Sequence, residues 1–289
     1  MKSYLIIVLI FALYFMGINT LNAQENGESL KEEKQLEDEE FIQEVEDSKQ
    51  PYKVLHAEPL YVDLIRDLGA RKGEKEWNVG FGLFDKTDYE EYELLVEYEF
   101  APVNRLGFEI ELPFAFFSSD VSVDGTPKNT LEGLQLATQY TFLVSKRAHT
   151  SLAIGYLHKF KFISFDSFGD ENIHEGNVFN PFFVAAKRWG RSLHTLIYTG
   201  PEFERLFNSG KTETVMAINA NFHYMVPGTT NFIGLEMNME VEDNDFEMTM
   251  RPQIRVEISD NILMGLVAGI PIDRQNERLS MFCRLIYEP

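Results

Sequence analysis

The chain has one cysteine, Cys283, in 289 residues. That excludes an intrachain disulfide framework and any paired-cysteine metal or redox motif. Standing near the C-terminus, it also leaves no lipid-bearing cysteine behind the leader. Cations are scarce: 26 Lys and Arg stand against 46 Asp and Glu, a formal net charge of −20. No cluster of basic residues is long enough to hold a nucleic acid, so no such partner is expected. Behind Ala23 no apolar run approaches the ~20 residues of a membrane-spanning helix. Gly-rich phosphate loops and the HExxH sequence are missing as well, and no cofactor or metal is expected.

What is present begins with an export signal. Lys2, an apolar stretch from Tyr4 to Ile18 and the small residue Ala23 read as a cleaved signal peptide over residues 1–23. Residues 24–55 are dense in Glu, Asp, Lys and Gln, as in Glu37-Asp38-Glu39-Glu40. Such a composition offers little apolar surface to offset ordering entropy, so an acidic, disordered or loosely helical segment is expected. Exported, it would offer a charged surface to a periplasmic partner.

Residues 56–75 read as a short helix and turn. Pro59 suits a first helical turn. Leu60, Leu64 and Leu68 recur at i, i+4 and i+8, with Ile65 beside them. Gly69 is a natural stop. The spacing predicts an amphipathic helix over 59–68. It would either plug a barrel mouth, with Asp63, Arg66 and Asp67 meeting lumen charges, or lie on a membrane surface.

From residue 76 to 289 the period becomes two. Tyr92, Leu94, Val96, Tyr98 and Phe100 alternate with Glu91, Glu93, Glu97 and Glu99, Leu95 being the one apolar residue on the acidic face. Leu106, Phe108, Ile110, Leu112, Phe114 and Phe116 oppose Gly107, Glu109 and Glu111 in the next run. About twelve such segments follow one another, at roughly 76–85, 89–101, 104–117, 131–144, 150–163, 178–188, 192–203, 213–226, 230–242, 245–258, 261–272 and 279–287. Long and short connections largely alternate between them. Segments 118–130, 164–177, 204–212 and 273–278 are long, whereas Lys146-Arg147, Gly190-Arg191, Pro227–Thr229 and Asp260 mark tight turns. The connections near Lys86-Thr87 and Asp243-Asn244 are short exceptions. An even strand count, long strands, asymmetric loops and aromatic residues near strand ends predict an all-β, antiparallel, up-and-down transmembrane β-barrel of about 12 strands. A monomer in the cell outer membrane is expected, surrounded by lipid and delivered by the barrel assembly machinery.

With apolar faces outward, the polar faces line a lumen. The candidates are Glu91, Glu93, Glu97, Glu99, Glu109, Glu111, Glu236 and Glu240, with Lys159, Lys161, Arg188, Arg251, Arg255 and Arg284 as the cations that would answer the glutamate row. Two arrangements stay open: a filled lumen held by salt bridges, and a narrow pore for small solutes with a charged wall. Catalytic readings are thin. Ser192 and His194 share a face, the minimum for a lipid hydrolase, without a neighbouring acid or amide. His56 with Glu58 supplies too few metal ligands. Asp120, Asp124, Asp166, Asp170 and Glu171 sit in loops, where Asp is usually a turn former.

The block His56-Ala-Glu-Pro-Leu-Tyr-Val-Asp-Leu-Ile-Arg-Asp-Leu-Gly-Ala-Arg-Lys-Gly-Glu-Lys-Glu-Trp-Asn-Val-Gly80 resembles an uncharacterised family of exported bacterial outer-membrane β-barrel proteins. The closing Arg284–Pro289 resembles the same family. More loosely, the barrel is similar to outer-membrane transporters of a phenol-degradation-type group. The resemblance implies a barrel and brings no catalytic or ligand-binding residue with it.

Overall fold

In the computed structural model, residues 27–119, 126–170, 172–243 and 245–289 are described. The signal peptide read at 1–23, the loop residues Asp120, Asp124 and Glu171, and the turn residue Asn244 lie outside them. The chain divides into two compact units, residues 1–37 and 38–289. Helix α1 (Gly27–Asp47) begins in the first and ends in the second.

The strands are β1 (Lys75–Lys86), β2 (Glu90–Val103), β3 (Leu106–Ser118), the two-residue β4 (Thr130–Leu131), β5 (Gly133–Ser145), β6 (Thr150–Phe162), β7 (His174–Trp189), β8 (Leu193–Leu206), β9 (Thr212–Met225), β10 (Phe232–Glu242), β11 (Asp245–Ser259), β12 (Ile262–Pro271) and β13 (Glu277–Tyr287). Each long strand pairs antiparallel with its neighbours, and β4 is a short extension beside β3. β1 pairs with β13, Trp77 opposite Tyr287 and Leu83 opposite Met281, so the sheet closes. The result is a twelve-stranded antiparallel barrel without free edges, which removes the unpaired backbone groups of an open sheet. Among the described residues no helix is long and apolar enough to cross a membrane.

Alternation sets the two faces. Phe81, Ile110, Ile154, Ile197, Phe222 and Met281 are exposed on the outer face. Their neighbours Gly82, Glu109, Ala153, Leu196, Asn221 and Phe282 point inward, and most are buried. The inner wall is less uniformly polar than the alternation suggests. It carries two apolar patches, one from Ala137, Ala153, Phe182, Val184, Leu196 and Tyr198, the other from Leu95, Phe232, Leu263, Val267, Phe282 and Ile286.

Both patches are covered by the chain's own residues 51–74, which run through the barrel interior. That is the plug arrangement, but it corrects the conformation expected of the segment. No helix forms over 59–68; the segment is irregular throughout. Its backbone N–H groups find wall side chains instead of carbonyls one turn back. Ala57 donates to His194, Leu60 to Gln253, Tyr61 and Val62 to Glu236, and Gly69 to Thr141. Leu60 packs into the second patch, whereas Leu64, Ile65 and Leu68 pack into the first. The leucine spacing that imitates one helical face serves two different walls. The helix lies earlier, in the acidic segment expected to be disordered or loosely helical. Its Glu- and Lys-rich composition suits helix propensity, and Asp38, Ile42 and Glu46, at i, i+4 and i+8, are buried on one face.

Candidate functional site

The site is the junction between residues 51–74 and the inner wall. Close approach needs space, and glycine supplies it. A Cβ on Gly107 of β3 would stand 2.0 Å from the Ile65 carbonyl oxygen, and one on Gly265 of β12 would stand 2.6 Å from Leu60. Burying the side chains of Leu60, Leu64 and Leu68 contributes roughly 1.5–3 kcal/mol each, which anchors the segment without directional bonds.

Charge fixes its position. Arg284 of β13, 2 % exposed, donates to Asp63 of the segment and to both Glu97 carboxylate oxygens at 3.3 Å. Its Nε donates to the Leu60 carbonyl at 3.1 Å. Arg66 donates to Glu76 at 2.5 Å, to Glu99 at 3.4 Å and to Asp67 at 2.7 Å. Arg66 holds a φ of +99°, strained for a residue with a Cβ, which these three carboxylates and the Gln139 bond to its carbonyl offset. Lys53 ties Asp67 at 2.7 Å and Glu74 at 3.4 Å. Asn78 of β1 bridges Glu97 and Glu99, both at 2.9 Å.

The segment's own titrating groups respond to this setting. Burial pushes the Asp63 carboxyl up to about 7, outweighing Arg284, and Glu97 and Glu76 add to the rise. Burial also raises Glu58, with Asp67 and Asp63 adding repulsion. For Asp67 burial acts the same way, but Arg66 and Lys53 overcome it and hold the carboxyl well below its usual range. Burial lowers His56 to about 3, so it sits neutral with Nε2 3.0 Å from the Ser151 hydroxyl.

The predicted lumen residues divide among several partners. Glu97, Glu99 and Glu109 are buried, and Glu111 accepts from Gln135 at 2.7 Å. Glu91 lies 3.8 Å from Lys86, and Glu93 lines a cavity with Glu111 and Arg284. Glu236 is fully buried and accepts from the Tyr61, Val62 and Asn238 N–H groups. Glu240 lies opposite Glu247 in the β10–β11 register. Of the six cations expected to answer the glutamate row, Arg284 alone forms an ion pair with it among the described residues. Lys159 pairs with Glu132, Lys161 with Glu204, and Arg188 with Glu46 of α1. Arg251 donates to Asn238 and Ser280 and stacks 3.4 Å above the Tyr61 ring. Arg255 donates to the Thr230 carbonyl and lies over Phe232. The rest of the row's answer comes from Arg66, carried by the segment, from Asn78 and, for Glu91, from Lys86.

Two carboxylate trios, Asp63–Glu76–Glu99 and Glu97–Glu99–Glu109, hold their oxygens within 4.8 Å of one another, the separation a cation site would need. Arg66, Arg284 and Asn78 already reach into both. Among the described residues no hydrogen bond joins Ser192 to His194, whose Nδ1 accepts from the Ala57 N–H. His56 and Glu58 are separated in the same way, His56 being taken by Ser151.

Two cavities flank the segment. One of about 230 Å³ lies within the barrel, lined by Asp63, Glu97, Glu109, Glu111, Gln135 and Arg284 among others. The other, about 810 Å³, opens beside α1 and the strand turns, with Lys53, Glu58, Arg71, Arg255 and Glu288 in its wall. No residue lines both. α1 borders the second cavity and is fastened to the turn end of the barrel. Lys146 pairs with Asp47 at 2.6 Å and Arg188 with Glu46 at 2.8 Å, Arg191 meets Glu39, and Gly228 N–H donates to Asp38 at 2.9 Å.

A family model described as HAEPLYID-like matches residues 52–288. The chain belongs to the HAEPLYID-like family. Its signature octet reads His56-Ala-Glu-Pro-Leu-Tyr-Val-Asp63 here, and these are residues of the segment inside the barrel, not of a wall strand. Among solved structures the barrel is similar to the COG4313 outer membrane channel from Pseudomonas putida F1. The TM-score is 0.58 at 14 % identity, covering 77 % of this chain and 98 % of that one. It is also similar to the NanC porin, with a TM-score of 0.53 at 11 % identity, covering 74 % of this chain and 99 % of the porin. At these identities the likeness is one of fold. No curated protein matches the chain closely enough to count as a relative.

Proposed function

We propose that this protein is an outer-membrane channel for small solutes whose lumen is closed by its own residues 51–74. The observation that carries the reading is that residues 51–74 run through the barrel interior, between a cavity within the barrel and one beside α1, on polar bonds to the wall as well as apolar packing. A barrel built only as a scaffold could fill its core with wall side chains. Here glycines and polar residues of the wall instead leave room for a continuous chain, and the closing segment continues from a helix docked at the turn end. The fold shared with an outer membrane channel and a porin agrees with this reading. In that orientation the turn end and α1 face the periplasm.

Solute class follows from the wall beyond the segment. Glu91, Glu93, Glu111, Glu132, Glu202, Glu204 and Glu240 outnumber Lys86, Lys159 and Lys161, so small cations are favoured over anions. The looser resemblance to phenol-degradation-type transporters makes small phenols the second class to try.

Liposome flux tests the proposal. Gly107→Val places a side chain where the Ile65 carbonyl runs and should displace the segment. Vesicles with the wild-type protein should stay nearly tight to small cations, and those with the variant should leak. If neither leaks, the barrel is a filled structural protein, and its acidic segment serves a periplasmic partner instead.

A further inference from the structure

The outer face carries a polar cluster that the channel does not use. On β6 and β7 the outward row runs Ile154, Tyr156, His158, Phe160 against Phe183, Pro181, Phe179, Asn177. The register slips between Lys161 and Phe162, which brings His174 opposite Phe162. Such a bulge re-aims a side chain, and His174 comes to lie on the outer face with Asn177. The Nε2 atoms of His158 and His174 are 3.0 and 3.1 Å from Asn177 Oδ1. An amide oxygen only accepts, so both rings donate to it, and the Asn177 amide N–H groups are left pointing away from the pair. Phe160 stacks on His158 at 4.3 Å, and Phe207 packs edge-on to His174 at 4.9 Å.

Arg205 of β8 stands beside Asn177 in the register and is exposed. Among the described residues no carboxylate pairs with its guanidinium. It is the first charge on the outward row of its strand, after Leu193, Thr195, Ile197, Thr199, Pro201 and Phe203. A strand rising ~3.3 Å per residue and tilted ~40° lifts position 205 about 30 Å above position 193, just past a ~25 Å apolar band. That is headgroup height in the leaflet on the long-loop side.

We infer that Arg205 and Asn177, with His158 and His174 fixing the amide, bind the phosphate of a phosphorylated glycolipid in the outer leaflet. The inference rests on the outer-membrane placement proposed above. Exposed at headgroup height and paired with no carboxylate among the described residues, the guanidinium is open to a lipid anion, and phosphate accepts from both guanidinium and amide. Phe160 and Phe207 offer the sugar and upper acyl chain an aromatic edge. The leaflet decides between lipid sources, because the cluster lies at the long-loop end, away from the termini.

Native mass spectrometry of the full chain, extracted from membranes and mixed with bisphosphorylated lipid A, tests this. The wild type should retain lipid A about tenfold better than Arg205→Ala or Asn177→Ala, the loss of one charge-assisted bond. Arg205→Lys should be intermediate, and lipid A without phosphates should bind wild type and Arg205→Ala alike. Heat-dependent gel mobility should show all variants folded. Equal retention by wild type and Arg205→Ala overturns the inference, as does equally strong binding of phosphatidylglycerol or inorganic phosphate. A chain recovered only in the soluble fraction would overturn the membrane placement itself.

Discussion

Arg284, on the last strand of the barrel, donates to Asp63 of the inserted segment and to Glu97 of β2 from one buried guanidinium. A single side chain thus joins the wall's acidic row to the segment that fills the lumen. Removing it leaves two carboxylates of the buried junction without their cation. Breaking a buried pair costs about 3–5 kcal/mol. Arg284→Met is therefore expected to lower the temperature at which the compact gel band converts to the unfolded one. An unchanged transition temperature would show that the pair does not hold the segment.

Asp63 gives the junction a pH dependence of definite sign. Its carboxyl rises from 3.8 unfolded to about 7 in place, mainly through burial. The folded state therefore holds a proton that the unfolded state has released. The linked stability is full below pH 3.8 and is lost as pH rises through about 7. Wild-type protein should lose stability between pH 4 and 7 relative to Asp63→Asn, which cannot titrate. Parallel thermal unfolding curves of the two proteins across that range would contradict the assignment.

Glu236 holds the segment by its backbone, accepting the N–H groups of Tyr61 and Val62. Glu236→Ala leaves both donors buried and unpaired, at roughly 1–3 kcal/mol each. The segment should then open more often, and trypsin should cut after Lys53 or Arg66 several-fold faster than in the wild type. Glu236→Gln keeps one acceptor and should fall between. Equal cutting rates in all three proteins would remove Glu236 from the junction.

The excess of lumen carboxylates predicts selectivity once the segment is displaced. Gly107→Val in a potassium chloride gradient should give a reversal potential of the cation-selective sign. Glu93→Gln with Glu111→Gln should move it toward zero. An anion-selective reversal potential would contradict the charge argument.

The wall was legible in the sequence because a strand's period is two, and one step of error would turn every side chain to the wrong face. Glu97, Glu109 and Arg284 point inward for that reason alone. Leu95, the apolar residue in the acidic row, is explained only by the structure: it packs in the patch that Leu60 covers. The inserted segment was legible as a plug, through Asp63 and Arg66, but its conformation was not, because its backbone is satisfied by residues far away in sequence, such as Glu236 and Gln253. Local spacing therefore pointed to a helix that tertiary partners replace. The cations went astray for a related reason. Parity states which face Lys159 and Lys161 share, but not that Glu132 and Glu204 lie nearer than the glutamate row. In α1 the buried face of Asp38, Ile42 and Glu46 holds a single apolar residue, too little to stand out against its acidic surroundings.

The most direct test of the closed-channel account is single-channel conductance in planar bilayers, comparing the full protein with a variant lacking residues 24–69. The full protein should conduct weakly and rarely. The shortened barrel, shown folded by its gel mobility, should give stable, cation-selective steps. Equal conductance in the two proteins would mean that the segment does not close the lumen.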